Sequence, residues 1–190
     1  MDAIRRIVLG LCGLAALPAV AETSVPTATT ATYGNWTVGC SLLAQADGSG
    51  SRPFCEMTTR LNLKGQDGQM RPLLAWTIGT PPGAKVKRIA VQVPTNVALR
   101  DGVSLSLDKP SADATAAKPQ DNIASLTYVT CTPQSCVADT DAGAELLDRL
   151  KAAKTANISF TLAQGAKRIV VPVSLDGFGD ALAALQANVK

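Results

Sequence analysis

Histidine is absent from the chain. That removes the usual general base at neutral pH and both common hydrolase triads. It also removes histidine as a zinc ligand, leaving cysteine thiolates and carboxylates. A strong charge of either sign is missing too. Lysine and arginine number 18 against 15 aspartates and glutamates, a formal net charge of +3. Basic residues are scattered, with "KVKR" at 85–88 the only dense spot, read here as a solvated strand entry. So small and diffuse an excess excludes a nucleic-acid footprint. No G-x-S-x-G, phosphate-binding loop or dinucleotide fingerprint occurs. The chain also lacks an apolar run long enough to span a bilayer, which takes about 20 residues.

What apolar run there is sits at the N-terminus. "MDAIRR" carries Arg5 and Arg6, "IVLGLCGLAAL" follows with 11 apolar residues, and Ala19-Val20-Ala21 supplies a small-x-small site before Glu22. This is the pattern of a secretory signal peptide over 1–21, cleaved between Ala21 and Glu22. Cys12 lies inside the run behind Leu11, which does not fit a lipoprotein site. Loss of Asp2, Arg5 and Arg6 with the leader leaves sixteen basic and fourteen acidic residues. The remaining length suits one domain with a sizeable core.

Four cysteines then remain, Cys40, Cys55, Cys131 and Cys136. An even number in an exported chain reads as a disulfide framework. The strand pattern orders them. Trp36, Val38 and Cys40 share one face of a period-two segment, and Cys55, Met57, Leu61 and Leu63 share one face of the next. Two inward thiols on successive strands pair Cys40 with Cys55 and leave Cys131 with Cys136 across "TPQS". Neither gap has the close C-x₂-C spacing of zinc ribbons, and no C-x-x-C follows a strand at a helix start. No metal site or cofactor is expected.

Other candidates for chemistry fail on geometry. "SLDK" matches S-x-x-K through Ser106 and Lys109, but an extended segment points positions i and i+3 to opposite faces. "DTDAGAE" at 139–145 resembles a calcium loop, yet Leu150 stands where a bidentate glutamate is needed. Helix capping by Asp141 accounts for those acids. Trp36 and Trp76 lie on apolar faces and read as core aromatics.

Residues 22–32, rich in Thr, Ala and Pro, are expected to form a flexible tether before a single domain over 33–190. "SLLAQADGSGSRP" and residues 108–122 read as loops. About ten short alternating segments predict strands. Leu146, Leu147 and Leu150 predict one helix over about 139–154. Phe178, Leu182, Leu185 and Val189 predict a second over about 178–189. The fold class is mainly β, an antiparallel β-sandwich with two short helices.

"YGNWTVGC", a second cysteine in "FCEM", "VQVPTNVALRDGVSLSLD", "YVTCTPQSCVAD" and "VPVSLDGFGDALAAL" follow one another in the chain. In that combination residues 33 to about 186 resemble the invasion-associated locus B family of bacterial envelope proteins. The resemblance implies an immunoglobulin-like sandwich in the periplasm or cell envelope, possible surface exposure, and no known catalytic site or cofactor. It points to a non-enzymatic protein that binds an envelope or host-surface protein, in host-cell interaction or envelope maintenance. Two alternatives stand beside it: a glycan hydrolase using a carboxylate pair that the sequence does not reveal, and a chaperone-like assembly factor for outer-membrane proteins.

Overall fold

The computed structural model describes residues 28–44, 48, 50–108 and 120–187. The expected leader, its cleavage site, Lys109 and Val189 lie outside them. Ten strands form: β1 (Ala28–Tyr33), β2 (Trp36–Ala44), β3 (Ser51–Lys64), β4 (Met70–Gly79), β5 (Arg88–Val93), β6 (Val103–Asp108), β7 (Gln120–Cys131), β8 (Cys136–Asp141), β9 (Thr155–Thr161) and β10 (Arg168–Ser174). Two helices complete the fold, α1 (Ala144–Ala152) and α2 (Phe178–Ala187).

The strands are hydrogen-bonded in the order β1-β2-β3-β4-β5-β8-β7-β6-β9-β10, with every neighbouring pair antiparallel. The order contains two overlapping Greek keys. β6, β7 and β8 are neighbours consecutive in sequence, and β5 and β9 cross over to lie on either side of that trio, β5 beside β8 and β9 beside β6. β7 makes the corner. Its first half, from Gln120 to Leu126, pairs with β6, and its second half, from Thr127, pairs with β8. A strand that changes partners in this way divides the sheet into two layers. The front layer holds β1 to β5, β8 and the end of β7. The back layer holds the start of β7, β6, β9 and β10.

Alternation along each strand fills the space between the layers. Trp36, Val38, Met57, Leu74, Trp76, Ile78, Ile89 and Val91 come from the front, and Val103, Leu105, Ile158, Phe160, Val171 and Val173 from the back; all are buried in one cluster. The two tryptophans are fully buried, as their apolar faces predict. α2 adds Phe178, Leu182 and Leu185 to the same core. The mainly β, antiparallel class with two helices, read from the period, is the observed one.

Two glycines bring the far ends of the sheet together. Gly34 starts the two-residue β1–β2 turn at φ +53°, and Gly177 leaves β10 for α2 at φ +78°. A Cβ on Gly177 would lie 2.0 Å from the Tyr33 carbonyl oxygen, and one on Gly34 would lie 2.6 Å from that of Asp176. The Asn35 amide donates to the Asp176 carbonyl at 3.1 Å, and Trp36 Nε1 donates to the Ser174 carbonyl at 3.3 Å.

Several boundaries differ from the sequence reading. Residues 28–32, placed in a tether, pair along their length with β2 as β1. Thr-rich, uncharged chain beside an open strand satisfies its backbone by joining the sheet. The Gly/Ser-rich loop is shorter than expected, because Leu42 to Ala44 and Ser51 to Pro53 continue the ladder. β7 begins at Gln120, inside the segment read as a loop. The first helix starts at Ala144 rather than near 139. Its N-cap is Gly143, which gives no side-chain capping bond, while Asp139 and Asp141 belong to β8.

Candidate binding surface

The core takes the inward half of each front strand, so the outward half is read from register. Thr32 of β1 stands beside Thr37 of β2, Thr37 beside Thr58 of β3, and Thr58 beside Thr77 of β4. The row continues through Ala90 of β5 and Asp139 of β8 to Thr127 of β7. Seven strands at about 4.8 Å spacing make a row about 29 Å long. Thr58 and Thr77 hydroxyls are 3.2 Å apart, one donating to the other.

A second row runs Thr30, Gly39, Glu56, Gly79, Arg88, Asp141. Gly79 fits closely there: a Cβ would come to 3.2 Å from both the Cys55 carbonyl oxygen and Glu56 Cβ. Arg88 is clamped. Its Nε and Nη2 donate to the two carboxylate oxygens of Asp139 at 2.9 and 2.8 Å, and Nη1 donates to Asp141 at 3.0 Å. The hydrogen bond to Asp139 holds its guanidinium above the ordinary arginine pKa. This corrects the reading of "KVKR" for Arg88 and of the Asp141 cap. The acids serve a cross-strand ion pair, and register, which composition cannot show, brings them to Arg88.

A third row starts at Arg60 and passes through Ala75, Gln92 and Val137. Here the face opens into a cavity of about 230 Å³ lined by Arg60, Pro72, Leu73, Ala75, Gln92 and Pro94, with Ser135 at its edge. A register shift between Leu61 and Asn62 leaves Leu73 unpaired, which turns it into this wall. Gln92 Nε2 donates to Ser135 Oγ at 2.7 Å and fixes one rim. Arg60 is exposed and has no ion-pair partner among the described residues. Apolar walls, few convergent polar groups and a cation without an ion-pair partner among the described residues are features that ligand cavities share.

The cysteines sit in the same layer. Cys40 and Cys55 are register partners on β2 and β3, with sulfurs 2.10 Å apart. Cys131 and Cys136 are register partners on β7 and β8, with sulfurs 2.01 Å apart. Ser106 is buried in the back layer and donates to Gln120 Oε1 at 3.0 Å, so its hydroxyl is committed to structure. Among the described residues no cluster of three or more His, Cys, Asp or Glu could hold a metal ion. No helix among them is long and apolar enough to cross a membrane.

Residues 36–186 match the Invasion associated locus B (IalB) protein family. The chain belongs to that family. An invasion protein B homologue of Brucella abortus (strain 2308) is 29% identical over 159 residues, covering 84% of this chain and 80% of the homologue. Its counterpart in Brucella abortus biovar 1 (strain 9-941) matches to the same extent. The crystal structure of invasion associated protein b from Bartonella henselae superposes with a TM-score of 0.61 at 22% identity, covering 84% of this chain and 95% of that one. At that identity the crystal structure speaks for the fold. The matched range begins at Trp36 and ends in α2, so it takes in both cysteine pairs and the face just described except for its β1 residues.

Proposed function

We propose that this protein is an exported, non-enzymatic component of the bacterial envelope that works by binding another macromolecule through the front face. Cleavage after Ala21 releases it, and the two bridges suit an oxidising compartment. The observation that carries the reading is the Arg60 cavity. It combines a guanidinium with no ion-pair partner among the described residues, a fixed Gln92–Ser135 rim and apolar walls, beside a broad row of small hydroxyl side chains. An envelope or host-surface protein presenting a carboxylate beside an apolar side chain meets that combination. The Brucella relatives, named as invasion protein B homologues, support a role in invasion.

The test is photo-crosslinking in intact cells. A photoreactive residue at Asn62 or Gln134, both exposed and flanking the cavity, should capture a macromolecular partner. The same probe at Val170, exposed on the back layer, should not. Arg60→Glu should abolish the adduct while leaving the melting temperature unchanged. Adducts from Val170 alone, or none from Asn62 and Gln134, would reject the assignment.

A further inference from the structure

The two edges of the sheet are unequal. β10 ends the order on one side, and Pro172 within it has no N–H to offer a neighbour. β1 ends the other side, and among the described residues no element covers it. Its six residues, "ATTATY", contain no charge, no proline and no bulge, and all but Tyr33 are exposed.

Register shows which backbone groups of β1 are open. In an antiparallel ladder a residue alternates between the close, non-hydrogen-bonded pair and the hydrogen-bonded pair, and its groups turn to opposite neighbours in the two cases. Cys40 and Cys55 have Cα atoms only 4.0 Å apart, the close kind, so the Cys40 amide and carbonyl turn toward β1. There they meet Thr29, the register partner of Cys40. The two-residue turn agrees: it closes on Tyr33 and Trp36, and counting back by twos reaches Ala31 and Thr29. The N–H and C=O groups of Ala28, Thr30 and Thr32 therefore point away from the sheet.

We infer that β1 is an association edge and that its occupant is β1 of a second copy of this chain, antiparallel about a two-fold axis at Thr30. In that register Thr30 pairs with Thr30 of the copy, and Ala28 with Thr32 in both directions. All three open residues of each chain are then satisfied, giving six backbone hydrogen bonds. Outward-facing side chains are Thr opposite Thr and Ala opposite Thr, which pair without charge or steric conflict. The isologous geometry closes at two copies, and the second edge, carrying Pro172, does not extend it. The front faces of both copies become one continuous sheet with an Arg60 cavity on each side of the axis. A ligand displayed in several copies would then bind with avidity.

The test uses the full chain, exported and purified in its oxidised form. Sedimentation should show the mass doubling as concentration rises. Thr30→Lys, which sets two like charges directly opposite, and Thr30→Pro, which removes an outward N–H only, should both abolish the doubling. Their melting temperatures measured at a concentration where the wild type is monomeric should match it. Thr30→Cys should give a covalent dimer on oxidation, whereas Thr32→Cys alone should not. A single-chain mass at every attainable concentration would overturn the inference, as would a dimer that survives Thr30→Lys. So would efficient self-linking through Thr32→Cys in place of Thr30→Cys. A monomer whose Thr30→Cys variant links instead to another envelope protein would assign the edge to a foreign strand and likewise overturn it.

Discussion

Tyr128 faces the core from the end of β7, and its hydroxyl is buried with no hydrogen-bond partner among the described residues. Burial, together with the negative charge of Asp101, pushes its pKa up to about 12 from 10.0. The sign of the consequence follows from proton counting. Between pH 10 and 12 the phenol of the unfolded chain is ionised while that of the folded chain still holds its proton. The unfolded state then binds fewer protons, and stability falls as pH rises through this window. Tyr128→Phe removes an unpaired buried hydroxyl, so stability at neutral pH should be unchanged or higher. The variant should also lose less of its stability than the wild type between pH 10 and 12. Urea denaturation of both proteins at neutral and alkaline pH checks the two expectations together.

At the scale of elements, α1 tests how the acids before it are used. Gly143 caps the helix with extended backbone at φ −65° and ψ 159°, provides no side-chain bond, and has open space where a Cβ would stand. Any capping residue fits there. Gly143→Asp should stabilise the protein by a few tenths of a kcal/mol, the usual margin of a capping side chain over glycine. Asp141→Ala should leave α1 intact, because Asp141 pairs with Arg88 rather than with the helix. Helical circular dichroism and the melting temperature report both. The sequence placed the cap at Asp141 because aspartate before an apolar stripe is the usual signal, and the competing use became visible only with β5 beside β8. The same limit explains the rest. Period two revealed most strands and their inward faces, including Cys55 and Met57 of β3, but it placed Leu63 on that face, and Leu63 is exposed beyond the register shift between Leu61 and Asn62. The threonine row and the Arg60 cavity exist only across strands: they depend on register and on the bulge beside Leu73, and the row's far end on the order β5-β8-β7, none of which one strand's pattern shows. β1 was missed because its Thr/Ala pattern has no apolar period of its own; its pairing with β2 supplies the order.

The whole molecule is a sheet that returns on itself, and the question is what keeps it closed. The disulfides do not. Cys40–Cys55 joins β2 to β3 and Cys131–Cys136 joins β7 to β8, so both bridges lie within the front layer. By loop entropy they contribute about 3 and 2 kcal/mol, but neither ties front to back. Closure rests instead on the contact between the β1–β2 turn and the start of α2. There Trp36 stands edge-on to Trp76 at 5.2 Å and to Phe178 at 5.1 Å. Phe178 is 1% exposed and is fixed by the turn at Gly177, whose place against the Tyr33 carbonyl admits no side chain. Emptying that site leaves a cavity that the two rigid tryptophans cannot fill. Phe178→Ala should therefore cost about 3–5 kcal/mol with both bridges intact, a large share of a typical domain's margin of about 5–15 kcal/mol. The loss should read in the denaturation midpoint and, since both tryptophans flank the site, in a red shift of their emission. An α2 that served as an exposed partner-binding helix would give the opposite pattern. Its Phe178→Ala variant would keep the midpoint and the emission and lose the crosslinked partner, and that result would move the binding site from the Arg60 cavity to α2.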